Sequence, residues 1–210
     1  MTTIRRILAA VAATAVASNL ALTGVPNAQA SGAREGVRAR TTVVTVAIKD
    51  CEGCEVLLLS YTAEDPDSGW SSETHAIADG KAEFVVPTDK TLGLSVAVDT
   101  PWEGHLGYTT MAVMRYQGLT VGDRIGFNRA RQMKKASGCY AGTTKKELLL
   151  RLKVRRVMVE GVFEKVPGQI VFAPITQEWL RPIDPVYGGV LGGQDVLLCK
   201  AGSHGGLVAS

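Results

Sequence analysis

From Thr41 onward the chain alternates polar and apolar positions with a period of two. In the run Thr41–Ile48, Val44, Val46 and Ile48 share one side, and β-branched residues at that spacing predict a strand with one buried face. Val56–Tyr61 repeats the texture after the turn Asp50-Cys51-Glu52-Gly53-Cys54-Glu55, so the two segments predict a hairpin closed by a small disulfide. Ala63–Ser72, with Asp65-Pro66-Asp67, reads as a loop. Further strands are predicted over Ala82–Pro87, Leu92–Val98, Tyr108–Tyr116, Val121–Phe127, Gln169–Ala173 and Val196–Cys199. Asn128–Gly138 breaks the cadence and reads as a short helix or an extended loop. In Glu147–Val159, Leu148, Leu150, Leu152 and Val154 alternate with Leu149, Arg151, Lys153 and Arg155. Its valines disfavour a helix and predict a strand with one basic face. Short strands separated by Gly, Pro and Asp predict an all-β fold, a single β-sandwich.

The first thirty residues have another texture. Arg5-Arg6 precedes an apolar run from Ile7 to Leu22, Pro26 follows, and Ala28-Gln29-Ala30 supplies a small-x-small site. Ser18 and Asn19 interrupt the run, which falls short of a membrane span. Residues 1–30 therefore read as a cleaved export signal, 31–40 as a disordered leader, 41–200 as the β-sandwich domain and 201–210 as a flexible tail. Ser31-Gly32 stands where a lipoprotein signal would place a cysteine. The pattern leaves Sec and twin-arginine export both open. The expected location is extracellular, free or held to the wall non-covalently, with no stable membrane anchor after cleavage.

Charge and cysteine content narrow the function. The formal net charge of +3 loses two with Arg5 and Arg6, leaving +1 for the exported part. That near-neutral balance gives no global case for nucleic acid as a partner. Cys51, Cys54, Cys139 and Cys199 all lie beyond the signal. An even count in an exported chain predicts two disulfides, with three possible connectivities. The closeness of Cys51 to Cys54 favours Cys51–Cys54 and Cys139–Cys199, and the second bridge would contribute about 4 kcal/mol on the chain-entropy model.

No pattern compels a reaction. Cys51-Glu52-Gly53-Cys54 has the spacing of a thiol-disulfide oxidoreductase. A strand pattern follows it rather than a helix, and Asp50, Glu52 and Glu55 would raise a thiol pKa. The histidines His75, His105 and His204 are scattered, so no metal site is expected, and no cofactor motif is present. A serine nucleophile would need an elbow motif, which is missing, and a wall hydrolase would need paired carboxylates that sequence cannot place. The densest chemical cluster is Pro101–Tyr108. There Trp102 could stack on a ligand while Glu103 and His105 fix its orientation, or Trp102 could plug one end of the sandwich. Arg151, Lys153 and Arg155 would project roughly 6.7 Å apart; a solvated sheet face is the commoner meaning of such a row, and a wall polyanion the alternative.

Asp50-Cys51-Glu52-Gly53-Cys54, the run Asp79–Thr88, Pro101-Trp102-Glu103-Gly104 and Ser137–Thr143, with a cysteine near the C-terminus, resemble phrases of a group of exported actinobacterial proteins. That resemblance implies secretion and names no activity. The Asp79–Pro87 unit is also similar to turn-strand units of prealbumin-like and immunoglobulin-like modules, which implies a sandwich of one of those types. The expected function is a secreted, non-catalytic role in binding or at the envelope, with a cell-wall polymer or an extracellular protein as partner. The alternatives are an extracellular enzyme and a secreted protease inhibitor with its reactive loop at Ala63–Ser72.

Overall fold

The computed structural model describes residues 40–62, 65–101, 109–133, 136–160, 164–179, 181–182 and 199–200. Strands β1 (Thr41–Ala47), β2 (Glu55–Thr62), β3 (Asp65–Ser71), β4 (His75–Ala76), β5 (Lys81–Pro87) and β6 (Leu94–Asp99) form the first half. The short strands β7 (Thr110–Met111), β8 (Arg115–Tyr116) and β9 (Ala136–Ser137) follow, with helix α1 (Phe127–Gln132) between the last two. Then come β10 (Glu147–Arg151), β11 (Lys153–Glu160), β12 (Lys165–Phe172), β13 (Arg181–Pro182) and β14 (Cys199–Lys200). The protein is all-β, with two disulfides, Cys51–Cys54 and Cys139–Cys199.

Two sheets share the main core. One runs β10-β1-β5; the other runs β13-β14-β2-β6-β7, with β3 and β4 also paired to β2. Val44 and Val46 of β1, Phe84 and Val86 of β5 and Leu150 of β10 meet Val56 and Leu58 of β2 and Val96 and Val98 of β6 in one buried cluster. Each set sits at alternate positions, so the period-two pattern directly builds this core. A second cluster gathers Val113, Tyr116, Ile170 and Phe172 with Ala130 of α1 and Ile125 just before it. Gln169 ties β12 to the main sheet from inside: its Nε2 donates to the Val98 carbonyl at 3.1 Å and to Thr110 Oγ1 at 2.7 Å, and its Oε1 accepts from Thr100 Oγ1 at 2.7 Å.

The structure corrects several expectations. β1 and β2 do not form a hairpin: β1 pairs with β5 and, in parallel, with β10, while β2 pairs with β6. The Cys51–Cys54 turn is a corner between two sheets. Adjacency in sequence suggested pairing, but both strands bury their inward faces against each other across the core. The turn is fixed by backbone bonds from Gly53 N to Ile77 O at 2.9 Å and from Ile77 N to Cys54 O at 2.7 Å, and Gly53 takes φ +74°.

Asp65–Ser71 is a strand rather than a loop, paired with β2 through Leu59↔Ser71 and Ser60↔Trp70. Val121–Gly126 holds only a single bridge, Arg124↔Ile175, before the helix begins at Phe127. The long basic strand divides at Leu152: β10 pairs with β1, then β11 leaves to pair with β12. Tyr108–Tyr116 is strand only at β7 and β8 among its described residues.

Candidate functional site

One recess among the described residues opens where the sheet of β1 begins. It is an open groove of about 800 Å³ between Thr88–Leu92 on one side and Ala141–Lys145 on the other, with Arg40 and Glu178 completing its lining. Threonines hold these segments together. Thr42 Oγ1 donates to the Lys145 carbonyl at 2.9 Å, across 103 residues of sequence, and Thr88 N donates to Arg40 O at 2.8 Å. Thr143 N donates to Thr91 Oγ1 at 3.0 Å, while Thr91 Oγ1 donates to Thr88 O at 2.6 Å. Behind the groove, Gly93 N donates to Tyr140 O and Tyr140 N to Leu94 O, at 3.0 and 2.8 Å. Such bonds over long sequence separations make a preformed wall, because opening it would leave several polar groups without partners.

Two further features fix its shape. Gly142 has φ +90°, and a Cβ there would lie 3.2 Å from Leu92 Cα, so only glycine lets the two walls approach this closely. The Cys139–Cys199 bridge stands directly behind: both cysteines are fully buried, Ala141 packs on them, and Cys199 Sγ lies 3.6 Å from the Gly93 carbonyl oxygen. The charges of the groove are mixed, with Arg40 and Lys145 against Asp89 and Glu178, and Leu92 is 37 % exposed beside them.

Tyr140 is buried next to this wall, and burial first, then the charge of Glu178, push its phenol above the usual tyrosine value against the opposing effect of a hydrogen bond with Thr143. The unfolded chain ionises Tyr140 near pH 10, while the folded chain keeps it protonated to higher pH. Its contribution to stability is therefore full below about pH 10 and is lost as pH rises through the folded value. Melting temperatures between pH 8 and 11 should fall more steeply for the wild type than for Tyr140→Phe; parallel curves would show that Tyr140 is not coupled to folding.

Residues singled out in the sequence meet different outcomes. Trp102, Glu103 and His105 lie outside the described residues. Cys51 and Cys54 are bonded to each other and 4 % and 0 % exposed, within the main core. His75 stacks on Phe84 with ring centroids 4.6 Å apart, and its Nδ1 lies 2.9 Å from the Glu83 carbonyl oxygen. Arg151 and Lys153 point outward as expected, while Arg155 pairs with Asp50 at 3.5 Å. Among the described residues no cluster of His, Cys, Asp and Glu could hold a metal ion, and no helix is long and apolar enough to cross a membrane. The groove itself escaped the sequence reading. Its one local signal is the small, hydroxyl-rich run Ala141-Gly142-Thr143-Thr144, which ordinary loops share.

No family model matches the chain, and no curated protein or solved structure matches it either.

Proposed function

We propose that this is an exported, non-catalytic binding protein, built on an immunoglobulin-like or prealbumin-like sandwich, whose ligand seat is the threonine-walled groove. The observation that carries the proposal is the preformed groove itself, with walls joined across 52 and 103 residues of sequence and backed by Cys139–Cys199. A site organised before binding loses little entropy when its ligand arrives. Both signs of charge beside the exposed apolar Leu92 suit a short extended peptide. The groove lining has no aromatic ring to serve as a sugar platform.

Two formed disulfides fit export. The core position of Cys51 and Cys54 weighs against thiol exchange, which needs an accessible thiolate. The pairing of β3 with β2 weighs against a protruding inhibitory loop there.

The test uses protein recovered from culture medium, whose intact mass should begin at Ser31. Panning this protein against a random heptapeptide library should enrich sequences that bind the wild type and not Leu92→Glu or Asp89→Lys, both exposed and expected to fold. Enrichment of sequences indifferent to both changes, or of none, would overturn the groove as the seat.

A further inference from the structure

A second recess lies at the other end of β1, roughly 20 Å along the strand from the groove. It is a half-enclosed cavity of about 340 Å³, and its rim carries Lys49, Asp50, Arg151 and Lys153. The origin of this rim is visible in the strand pattern. Leu150, Leu152 and Val154 are 1 %, 4 % and 3 % exposed, so Arg151 and Lys153 between them must project outward. The parallel register places Arg151 beside Ala47, and Leu152 N donates to Ala47 O at 2.9 Å. That register draws Lys49, two residues beyond the end of β1, alongside the same row.

The charges do not cancel. Asp50 is the one carboxylate on the rim, and Arg155, which lies outside the lining, engages it at 3.5 Å. Lys81, a neighbour across the sheet, is taken by Glu83 at 2.9 Å. No ion pair or hydrogen bond engages the side chains of Lys49, Arg151 or Lys153 among the described residues. Three cations thus line one recess whose remaining lining residues besides Asp50, namely Ala47, Ile48, Leu152, Val154 and Pro174, are apolar. Apolar surroundings concentrate the field of such a set and favour an anion among them.

We propose that this recess binds an anionic polymer, with Lys49, Arg151 and Lys153 receiving carboxylate or phosphate groups along the chain. The set favours a polymer over a single anion, because Lys49 follows β1, Arg151 ends β10 and Lys153 begins β11, so the cations come from three separate segments, and the cavity is open on one side. A near-neutral protein then acquires its affinity from a local charge set rather than from its net charge. This site is separate from the peptide groove, and neither depends on the other.

The experiment titrates mature, oxidised protein with sodium polyphosphate and with polygalacturonate at several salt concentrations, alongside duplex DNA and phosphatidylglycerol vesicles. Binding to one or both polymers is expected, with log K falling against log salt at a slope of about −2 to −3, as three neutralised cations require. The Arg151→Glu/Lys153→Glu variant, altered only at exposed positions, should keep its melting temperature and lose at least about tenfold in affinity. The Arg124→Glu/Lys146→Glu variant, carrying the same charge change outside the cavity, should bind as the wild type does. Which polymer binds distinguishes a phosphate from a carboxylate partner. Equal losses in both variants, binding only to DNA or vesicles, or no salt-dependent binding would overturn the proposal. Should Arg151→Glu/Lys153→Glu unfold, Lys49→Ala provides the same comparison from the turn after β1.

Discussion

Replacing Cys139 and Cys199 together by serine is expected to lower stability by about 4 kcal/mol, which for a domain of this size is roughly a 10 °C fall in melting temperature. The bridge spans a sequence separation of 60 residues, and closing a loop that long removes much of the freedom of the unfolded chain. It also joins β14, which pairs with Thr62 of β2, to the segment carrying Tyr140 and Ala141. The loss should therefore reach the groove as well as the global fold. Urea denaturation of the oxidised wild type and the serine variant measures it. A change under about 1 kcal/mol would mean that the 139–199 closure is already maintained by other contacts.

The second large effect belongs to Gln169. Its amide meets three partners inside the protein, the Val98 carbonyl, Thr110 Oγ1 and Thr100 Oγ1, and Gln169 is only 6 % exposed. Gln169→Ala removes the common partner and leaves those groups buried together. Each unsatisfied buried group costs about 1–3 kcal/mol, and water entry offsets part of that, so a net loss of about 3 kcal/mol is expected. Gln169→Met fills the volume but restores no hydrogen bond, and it should recover little. Full recovery in the methionine variant would show that packing, not hydrogen bonding, sets the value of this residue.

Gln169 also illustrates what the sequence made legible. Gln169–Ala173 reads as a strand, and β12 runs from Lys165 to Phe172, buried on both faces from Gly168 on; elsewhere alternation reports which side of a strand is buried. The same logic held for Val44 and Val46, for Phe84 and Val86, and for Leu150 and Leu152, all of which are core residues. Alternation carries no information about partners. It could not show that β1 joins β10 in parallel across a hundred residues, nor that Gln169 would face Thr100 and Thr110. The hairpin expected at Cys51–Cys54 failed for that reason: nearness along the chain stood in for pairing.

Asp65–Ser71 shows the converse limit. Its Pro66 and Gly69 disfavour a strand locally, yet pairing with β2 imposes one, and Gly69 leaves space that the Tyr61 ring occupies. The basic row was readable as a face. Its meaning depended on Lys49 and on the Asp50–Arg155 pair, which only the folded register brings together. The groove was illegible because threonine and glycine from distant segments form it, without any spacing that a linear reading detects.

The central claim, that the groove is a peptide seat, is tested most directly by amide chemical-shift mapping of the mature protein titrated with a peptide enriched by panning. Saturable shifts should concentrate at Leu92, Gly142, Thr143 and Lys145 and vanish in Leu92→Glu, while the amides of Lys49 and Lys153 stay unmoved. Shifts centred elsewhere, or none at saturating peptide, would contradict it.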